Sequence, residues 1–205
     1  MKAYESIRKT LRFAEEYRII VDMEKKLLTR AQCLKKYGSD YRIRKAIESE
    51  ELYRIDKGIY SLEKYVPEIV LISYKYPNAV VTMRSAFYMY GMTDDIPDEV
   101  DLATTRDAAK IPDKRVKQYF VADDFFKEGI ERMDYKGYSI RIYSRERMLI
   151  ELLRYKTKLP FDYYKEIILN YRKILPKLNI QKIQDIALAA PKSGRVMQIL
   201  QTEVL

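Results

Sequence analysis

The amino-acid sequence predicts an α+β protein, with an N-terminal winged helix-turn-helix followed by a mixed α/β domain that has a small sheet and a helical C-terminus. Three observations support this prediction. Apolar residues recur at helical spacing in three short segments before residue 50. A hairpin pattern follows these segments, and the clearest period-two alternation, at 138–143, lies between helical patterns. We place the domains at 1–65 and 66–205.

The first domain is predicted to begin with three helices. The first covers 4–17, where apolar residues fall on one face. The second follows Thr29, a residue type that caps helix N-termini, and ends before Gly38, which tolerates a positive φ. Ser39 or Asp40 then caps the third helix. Short helices closed by a tight turn in this way are typical of a helix-turn-helix.

The third helix and the hairpin after it supply the predicted DNA contacts. In the helix, Ile43, Ala46 and Ile47 point to one side and basic residues point elsewhere. The hairpin joins strands at 52–55 and 59–62 through Asp-Lys-Gly. Such a helix enters the major groove and such a wing touches the backbone, although a basic helix face can also be merely solvated. The predicted DNA-binding residues are Tyr41, Arg42, Arg44, Lys45, Arg54 and Lys57.

The second domain is predicted to be a small sheet with helices before and after it. A linker at 64–67 leads into it. Ser144 is placed to cap a helix whose apolar side carries Met148, Leu149 and Leu152. The predicted strands are 99–104, 117–121 and 138–143, and the predicted helices are 68–76, 80–91, 145–156, 161–174, 180–189 and 195–205.

Charge favours a polyanionic partner. The chain of 205 residues has a formal net charge of +9. Residues 1–65 carry 16 Lys and Arg against 11 Asp and Glu, so the first domain is the more basic part per residue. Lysine and arginine release counterions when they meet phosphates, which favours nucleic-acid binding.

Composition argues against several classes of enzyme. The sequence has no histidine and one cysteine, Cys33, which excludes an intramolecular disulfide and zinc sites built on imidazole or several thiolates. No nucleophile elbow and no phosphate-binding glycine loop occur. We therefore expect a protein that is not an enzyme and that uses no cofactor and no metal. No apolar run approaches a membrane span and no secretory signal is visible, so we expect no membrane partner and a cytoplasmic location.

The strongest sequence signal for enzymatic activity is a cluster of acidic residues. Glu99 and Asp101 alternate on one predicted strand, with Asp94, Asp95 and Asp98 nearby. Clustered carboxylates can hold Mg²⁺ for nuclease chemistry. The alternative is a solvated acidic loop that leads into a strand. No Glu-x-Lys motif follows on a neighbouring strand, which favours the loop.

Three segments together resemble the AbiEi antitoxins of abortive-infection toxin–antitoxin systems. Residues 52–62 are similar to the family's wing, with its Leu-x-Arg and Gly-x-Tyr pattern. Residues 76–94 look like its central helix, and 144–156 look like its Glu-Arg-Thr-Leu-x-Asp helix. In the last segment Met148 replaces the family's threonine and Glu151 replaces its aspartate. The likeness covers the chain from about residue 25 to its end.

The resemblance implies a function that composition does not show. Such proteins repress their own operon by binding repeats in promoter DNA through the N-terminal domain. Their C-terminal domain neutralises a nucleotidyltransferase-like toxin encoded next door, and in these type IV systems a stable antitoxin–toxin complex is not expected. We expect the antitoxin surface on the 145–156 helix, where the basic residues predicted to be exposed are Arg145, Arg147, Arg154 and Lys156.

Two other functions stay open at this point. The chain could be a plain winged-helix regulator whose C-terminal domain senses a ligand or dimerises. It could also be a DNA-targeted nuclease that uses Glu99 and Asp101. An adjacent nucleotidyltransferase gene would favour the antitoxin over the plain regulator, and metal-dependent DNA cleavage would favour the nuclease.

Overall fold

The computed structural model describes residues 26–204. The predicted first helix, 4–17, lies outside the described residues. The chain divides into two compact units. Of the described residues, the first unit holds those up to Tyr74 together with Asp134–Ser139, and the second holds Lys75–Met133 with those from Ile140 onward. The division falls after Tyr74, whereas the sequence predicted a boundary after Tyr65.

Among its described residues, the first unit contains a small three-stranded antiparallel sheet and three helices. In chain order its described elements are β1 (Leu27–Thr29), α1 (Arg30–Tyr37), α2 (Asp40–Glu48), β2 (Tyr53–Asp56), β3 (Ile59–Ser61) and α3 (Glu68–Lys75). The sheet order is β1-β3-β2, with Leu28 opposite Tyr60 and Arg54 opposite the same tyrosine from the other side. The sequence did not predict β1, because three residues are too few to show a period.

The core of the first unit joins the two short helices to the sheet. Ile43 and Ala46 of α2 are buried, as their spacing predicted. The buried residue of α1 is Cys33, while Ala31 is exposed. Burial raises the pKa of the Cys33 thiol, since the thiolate would lose its hydration. The buried cluster is Leu28, Cys33, Ile43, Ala46, Leu52 and Tyr60.

The second unit is built on a mixed five-stranded sheet. Its strands are β4 (Val80–Val81), β5 (Val100–Thr105), β6 (Val116–Val121), β7 (Ile130–Tyr135) and β8 (Tyr138–Tyr143), and its helices are α4 (Met83–Met89), α5 (Asp123–Phe126), α6 (Arg145–Tyr155), α7 (Phe161–Ile174), α8 (Ile180–Ala189) and α9 (Ser193–Glu203). The sheet order is β6-β5-β4-β8-β7. Neighbours β5 and β6 are parallel, as are β4 and β8, while β4 and β5 are antiparallel.

Several element boundaries differ from those the sequence predicted. Val80 and Val81 form β4 and not the start of a helix, and the helix begins at Met83. The predicted alternating strand at 138–143 is confirmed, and Lys136 and Gly137 make its turn with φ of 54° and 79°. A two-residue turn in which both residues have positive φ matches the twist of the strands that it joins.

The helical C-terminus agrees with the sequence in outline. The cap of α6 is confirmed, since Ser144 Oγ accepts a hydrogen bond from the backbone N–H of Arg147 at 3.3 Å. Met148, Leu149 and Leu152 are buried as their spacing predicted. The last helix begins at Ser193, earlier than predicted. Among the described residues, no helix combines the length and the apolar character that a bilayer span requires.

Candidate nucleic-acid interface

The geometry of α2 is set by the turn that precedes it. Gly38 has a φ of 83° and its backbone N–H bonds to the carbonyl of Leu34 at 2.8 Å, which ends α1. Ser39 then caps α2, because its hydroxyl accepts from the N–H of Arg42 at 3.3 Å. Glycine adopts this φ without strain, so the turn between the two helices favours glycine at this position.

The solvent-facing side of α2 carries aromatic and basic residues. At about 100° per residue, Tyr41, Arg44 and Lys45 lie on the face opposite Ile43 and Ala46. All three are exposed, Tyr41 to 62% of its surface. The Lys45 ammonium lies 5.3 Å from the centroid of the Tyr41 ring, so the two side chains form one patch.

Arg42 occupies a different position on the same helix. It is exposed, but its helical angle places it at the flank, next to the buried Ala46. Its guanidinium lies close to Gly38. A Cβ added to that glycine would lie 4.0 Å from Nη1 of Arg42. Among the residues predicted on α2, Arg42 therefore lies farthest from the centre of the exposed face.

The hairpin presents two further predicted residues. Arg54 lies on β2 and Lys57 in the turn between β2 and β3, and both are exposed. Gly58 completes the turn with a φ of 74°, and its carbonyl accepts from the N–H of Arg30 at 3.0 Å. The hairpin tip is therefore anchored to the start of α1.

Arg30 is a residue that the sequence reasoning missed. Its guanidinium donates to Asp40 Oδ2 at 2.9 Å, and both side chains are more than half exposed. The ion pair joins the first residues of α1 and α2. The only sequence signal was a basic residue directly after the Thr29 cap, which does not distinguish a helix anchor from a solvated charge.

The basic residues of α6 do not form the exposed surface that the sequence predicted. The prediction that Arg147 is exposed is wrong, because its side chain has 0% exposure. Its Nη1 donates to the carbonyls of Phe125 and Glu128 at 2.6 and 2.8 Å. The guanidinium also lies 3.5 Å from the centroid of the Phe125 ring. An arginine that is fully enclosed in this way supports the fold and cannot contact a partner.

The other three residues predicted on α6 differ in how free they are. Arg145 is exposed, and its guanidinium lies 4.7 Å from the centroid of the Tyr90 ring. Arg154 is half-buried and its Nη1 donates to both oxygens of Glu151 at 2.8 Å. Lys156 pairs with Glu203. Of the four, Arg145 is therefore the one that is exposed and forms no ion pair with a carboxylate among the described residues.

The two acidic residues considered for nuclease chemistry lie in different environments. Glu99 is exposed, whereas Asp101 is 2% exposed. The Asp101 carboxylate accepts from the backbone N–H of Arg84 at 2.7 Å, and the N–H of Asp101 donates to Ser85 Oγ at 2.9 Å. Asp101 therefore ties the start of α4 to β5. No group of three or more potential ligand side chains suited to a metal ion occurs within 26–204.

Comparisons with known proteins support the α+β fold. A crystal structure of the protein RV2827C from Mycobacterium tuberculosis is similar, with a TM-score of 0.60 and 13% identity over 90% of this chain and 75% of that one. At this identity the likeness concerns the fold alone. No family model matches the sequence. A search of curated proteins also gives no match.

Proposed function

We propose that the first unit is a winged helix-turn-helix and that the protein binds double-stranded DNA through α2. The observation that carries the proposal is the two-sided character of this helix. Ile43 and Ala46 are buried in the core, while Tyr41, Arg44 and Lys45 form an exposed patch. A helix held on one face by its own core, with arginine and lysine on the other, suits insertion into the major groove.

The order of elements around α2 supports the same proposal. Strand β1, helices α1 and α2 and the β2–β3 hairpin follow one another without other elements between them. In a winged helix-turn-helix the last helix of this series reads bases and the hairpin reaches the backbone. Arg44 supplies a planar fork that matches guanine O6 and N7, and Lys57 at the hairpin turn supplies a charge for phosphate.

The test is binding of the full chain to the DNA upstream of its own gene. Fluorescence anisotropy at increasing salt should give a log–log slope of several units, at about −0.9 per neutralised phosphate. The variant Arg42→Ala/Arg44→Ala/Lys45→Ala should lose specific binding. A matched control removes the same charge from exposed lysines of the second unit, Lys110→Ala/Lys114→Ala/Lys177→Ala.

The two variants separate recognition from general charge. If both lose binding equally, affinity follows net charge and α2 is not the recognition helix. If the α2 variant binds as the unchanged protein does while its melting temperature is unchanged, the proposed interface is wrong. A flat salt dependence would contradict DNA binding through phosphates altogether.

We further propose that the protein is an antitoxin of the AbiEi type that represses its own operon. The sequence resemblance in 52–62, 76–94 and 144–156 supports this part of the proposal. The neutralising role belongs to the second unit, and its target is a nucleotidyltransferase-like toxin encoded next door. Arg145 is exposed and has no carboxylate partner in the described chain. It is therefore the residue of α6 best placed to form the antitoxin surface.

Co-expression of the full chain with the neighbouring toxin tests the antitoxin role. Growth should be restored by the unchanged protein and also by the α2 triple variant, because neutralisation does not require DNA binding. Arg145→Gln should weaken rescue, with exposed Lys177→Gln as its control. Co-purification should give no stable complex. No rescue by a soluble, folded chain would contradict the antitoxin role, and full rescue by Arg145→Gln would contradict the choice of surface.

A second candidate function is a plain winged-helix regulator whose C-terminal domain senses a ligand. The observation that favours it is a cleft in the second unit lined by cations and tyrosines. A regulator of this kind would bind the same upstream DNA but would not rescue growth from the neighbouring toxin.

A further inference from the structure

A cleft of about 490 Å³ opens in the second unit. Ligand pockets for small molecules fall between roughly 300 and 1,000 Å³, so the space suits a molecule the size of a nucleotide. Its lining comes from α4 and the loop after it, from β6, from the end of α6 with the segment that follows, and from the start of α7. The charged and aromatic residues on which the inference rests are Arg84, Lys117, Tyr119, Tyr155, Lys158 and Tyr163.

One part of the cleft is aromatic. The rings of Tyr119 and Tyr155 pack edge to face, with centroids 5.8 Å apart and planes at 76°. Tyr163 contributes a third ring, and its hydroxyl is buried without a hydrogen-bond partner among the described residues. A buried phenol left without a partner costs free energy.

The cations of the cleft are placed against these rings. The Lys117 ammonium lies 5.7 Å from the centroid of Tyr119, and that of Lys158 lies 5.1 Å from the centroid of Tyr155. Within the described part of the chain, neither lysine forms an ion pair with a carboxylate. Both charges are therefore available to an anion that enters the cleft.

Arg84 contributes a third cation with a partner of its own. Its Nη2 donates to Asp95 Oδ2 at 2.6 Å, and its guanidinium lies 5.7 Å from the centroid of Tyr163. Asp95 is the acidic residue of the lining, so the walls carry three cations against one carboxylate. The excess is positive, and the ring faces suit a planar group.

We propose that this cleft binds a small aromatic anion, in which a planar ring packs on Tyr119 and Tyr155 and a phosphate or carboxylate meets Lys117 and Lys158. Two sources share this chemistry: a free nucleoside monophosphate and an aromatic carboxylate. The site lies within one unit and does not depend on α2. The inference therefore goes beyond the proposed function and stands whether or not the first unit binds DNA.

Isothermal titration with the full chain tests the proposal directly. The probes are AMP, UMP and 4-hydroxybenzoate, with adenosine, inorganic phosphate and a short single-stranded oligonucleotide as comparisons. At least one aromatic anion should bind with a dissociation constant below about 1 mM, and adenosine and phosphate should each bind at least about tenfold more weakly. AMP or UMP binding identifies the nucleotide source, and 4-hydroxybenzoate binding identifies the carboxylate source.

Variants locate the binding in the cleft. The variant Lys117→Gln/Lys158→Gln should bind the aromatic anion about tenfold or more weakly than the unchanged protein does. Lys110→Gln/Lys177→Gln removes the same charge from exposed positions outside the cleft and should bind normally. Tyr119→Leu should lose affinity while Tyr119→Phe keeps it, since the phenylalanine retains the ring. Circular dichroism and melting temperature show that each variant is folded.

Three outcomes would overturn the proposal. The first is that no aromatic anion of the panel binds at 1 mM, on the order of the weakest affinity the proposal allows. The second is that the oligonucleotide alone binds. The third is that the cleft and control lysine variants bind the anion equally well while both remain folded.

Discussion

Arg147 and Glu151 lie one helical turn apart on α6, and Nε and Nη2 of the arginine both donate to Oε1 of the glutamate, at 3.0 and 2.7 Å. Both side chains are buried, with 0% and 4% exposure. The guanidinium donates in addition to the Phe125 and Glu128 carbonyls. A buried ion pair of this kind is weak evidence for net stability, but removal of one partner leaves the other charge without compensation.

Removal of the Glu151 charge should therefore destabilise the protein strongly. We expect Glu151→Gln to lower the free energy of unfolding by about 3–5 kcal/mol, since the Arg147 charge stays buried. Urea denaturation followed by circular dichroism measures the change. The double variant Arg147→Met/Glu151→Leu should lower the free energy of unfolding by less than the sum of the losses for Arg147→Met alone and Glu151→Leu alone. Additive costs would show that the two side chains do not act as a pair.

Gly129 is a second position where the packing of α6 is critical. Its φ is 72°, and a Cβ added there would lie 2.6 Å from Cβ of Arg147. We expect Gly129→Ala to lower the melting temperature more than Gly91→Ala, which has a φ of 66° but open space around it. In the control, Gly91→Ala, the only expected cost is that of placing alanine at a positive φ, about 1–2 kcal/mol. Equal effects would show that the helix yields to the added methyl group.

The pH dependence of stability should contain a contribution from Asp101. Burial raises its pKa to about 6, which the N–H of Arg84 and nearby Lys117 only partly oppose. The unfolded pKa is about 3.9. The folded protein therefore binds the proton more tightly, so the stabilising contribution is fully present below about pH 4 and is lost as pH rises through 6.

The variant Asp101→Asn isolates this contribution from other titrating groups. The stability of the unchanged protein relative to the variant should fall by about 2–3 kcal/mol between pH 4 and pH 7.5. Asparagine keeps an oxygen that can accept from the N–H of Arg84. Denaturant titrations at both pH values measure the difference. A difference that is constant with pH, or one that grows as pH rises, would contradict the assignment.

The two arginines of α2 should differ in their effect on DNA binding. Arg44 lies on the exposed face with Tyr41, whereas Arg42 lies at the flank. We expect Arg44→Ala to cost about 1–3 kcal/mol and to relax sequence preference. Arg42→Ala should cost less, and Lys57→Gln should weaken all sequences alike. Binding to the upstream DNA and to a scrambled duplex measures both effects, and a larger specific loss for Arg42→Ala would reverse the assignment.

The sequence alone determined the features that depend on local spacing. Helical periodicity placed Ile43 and Ala46 inside and Arg44 and Lys45 outside, because a residue three or four positions away returns to the same face. Turn chemistry located Gly38 and the Asp-Lys-Gly turn of the hairpin, where only certain residue types tolerate a positive φ. These signals are short-range, so one segment is enough to read them.

Only the tertiary structure decided the features that depend on distant segments. Spacing alone could not show that Arg147 is enclosed, because an arginine followed four residues later by a glutamate is equally typical of an exposed helix. The carbonyls of Phe125 and Glu128 reach it from another part of the chain. Likewise the cleft joins Lys117 and Lys158 across separate elements. Long-range packing, and not periodicity, determines which charges meet solvent and which are buried.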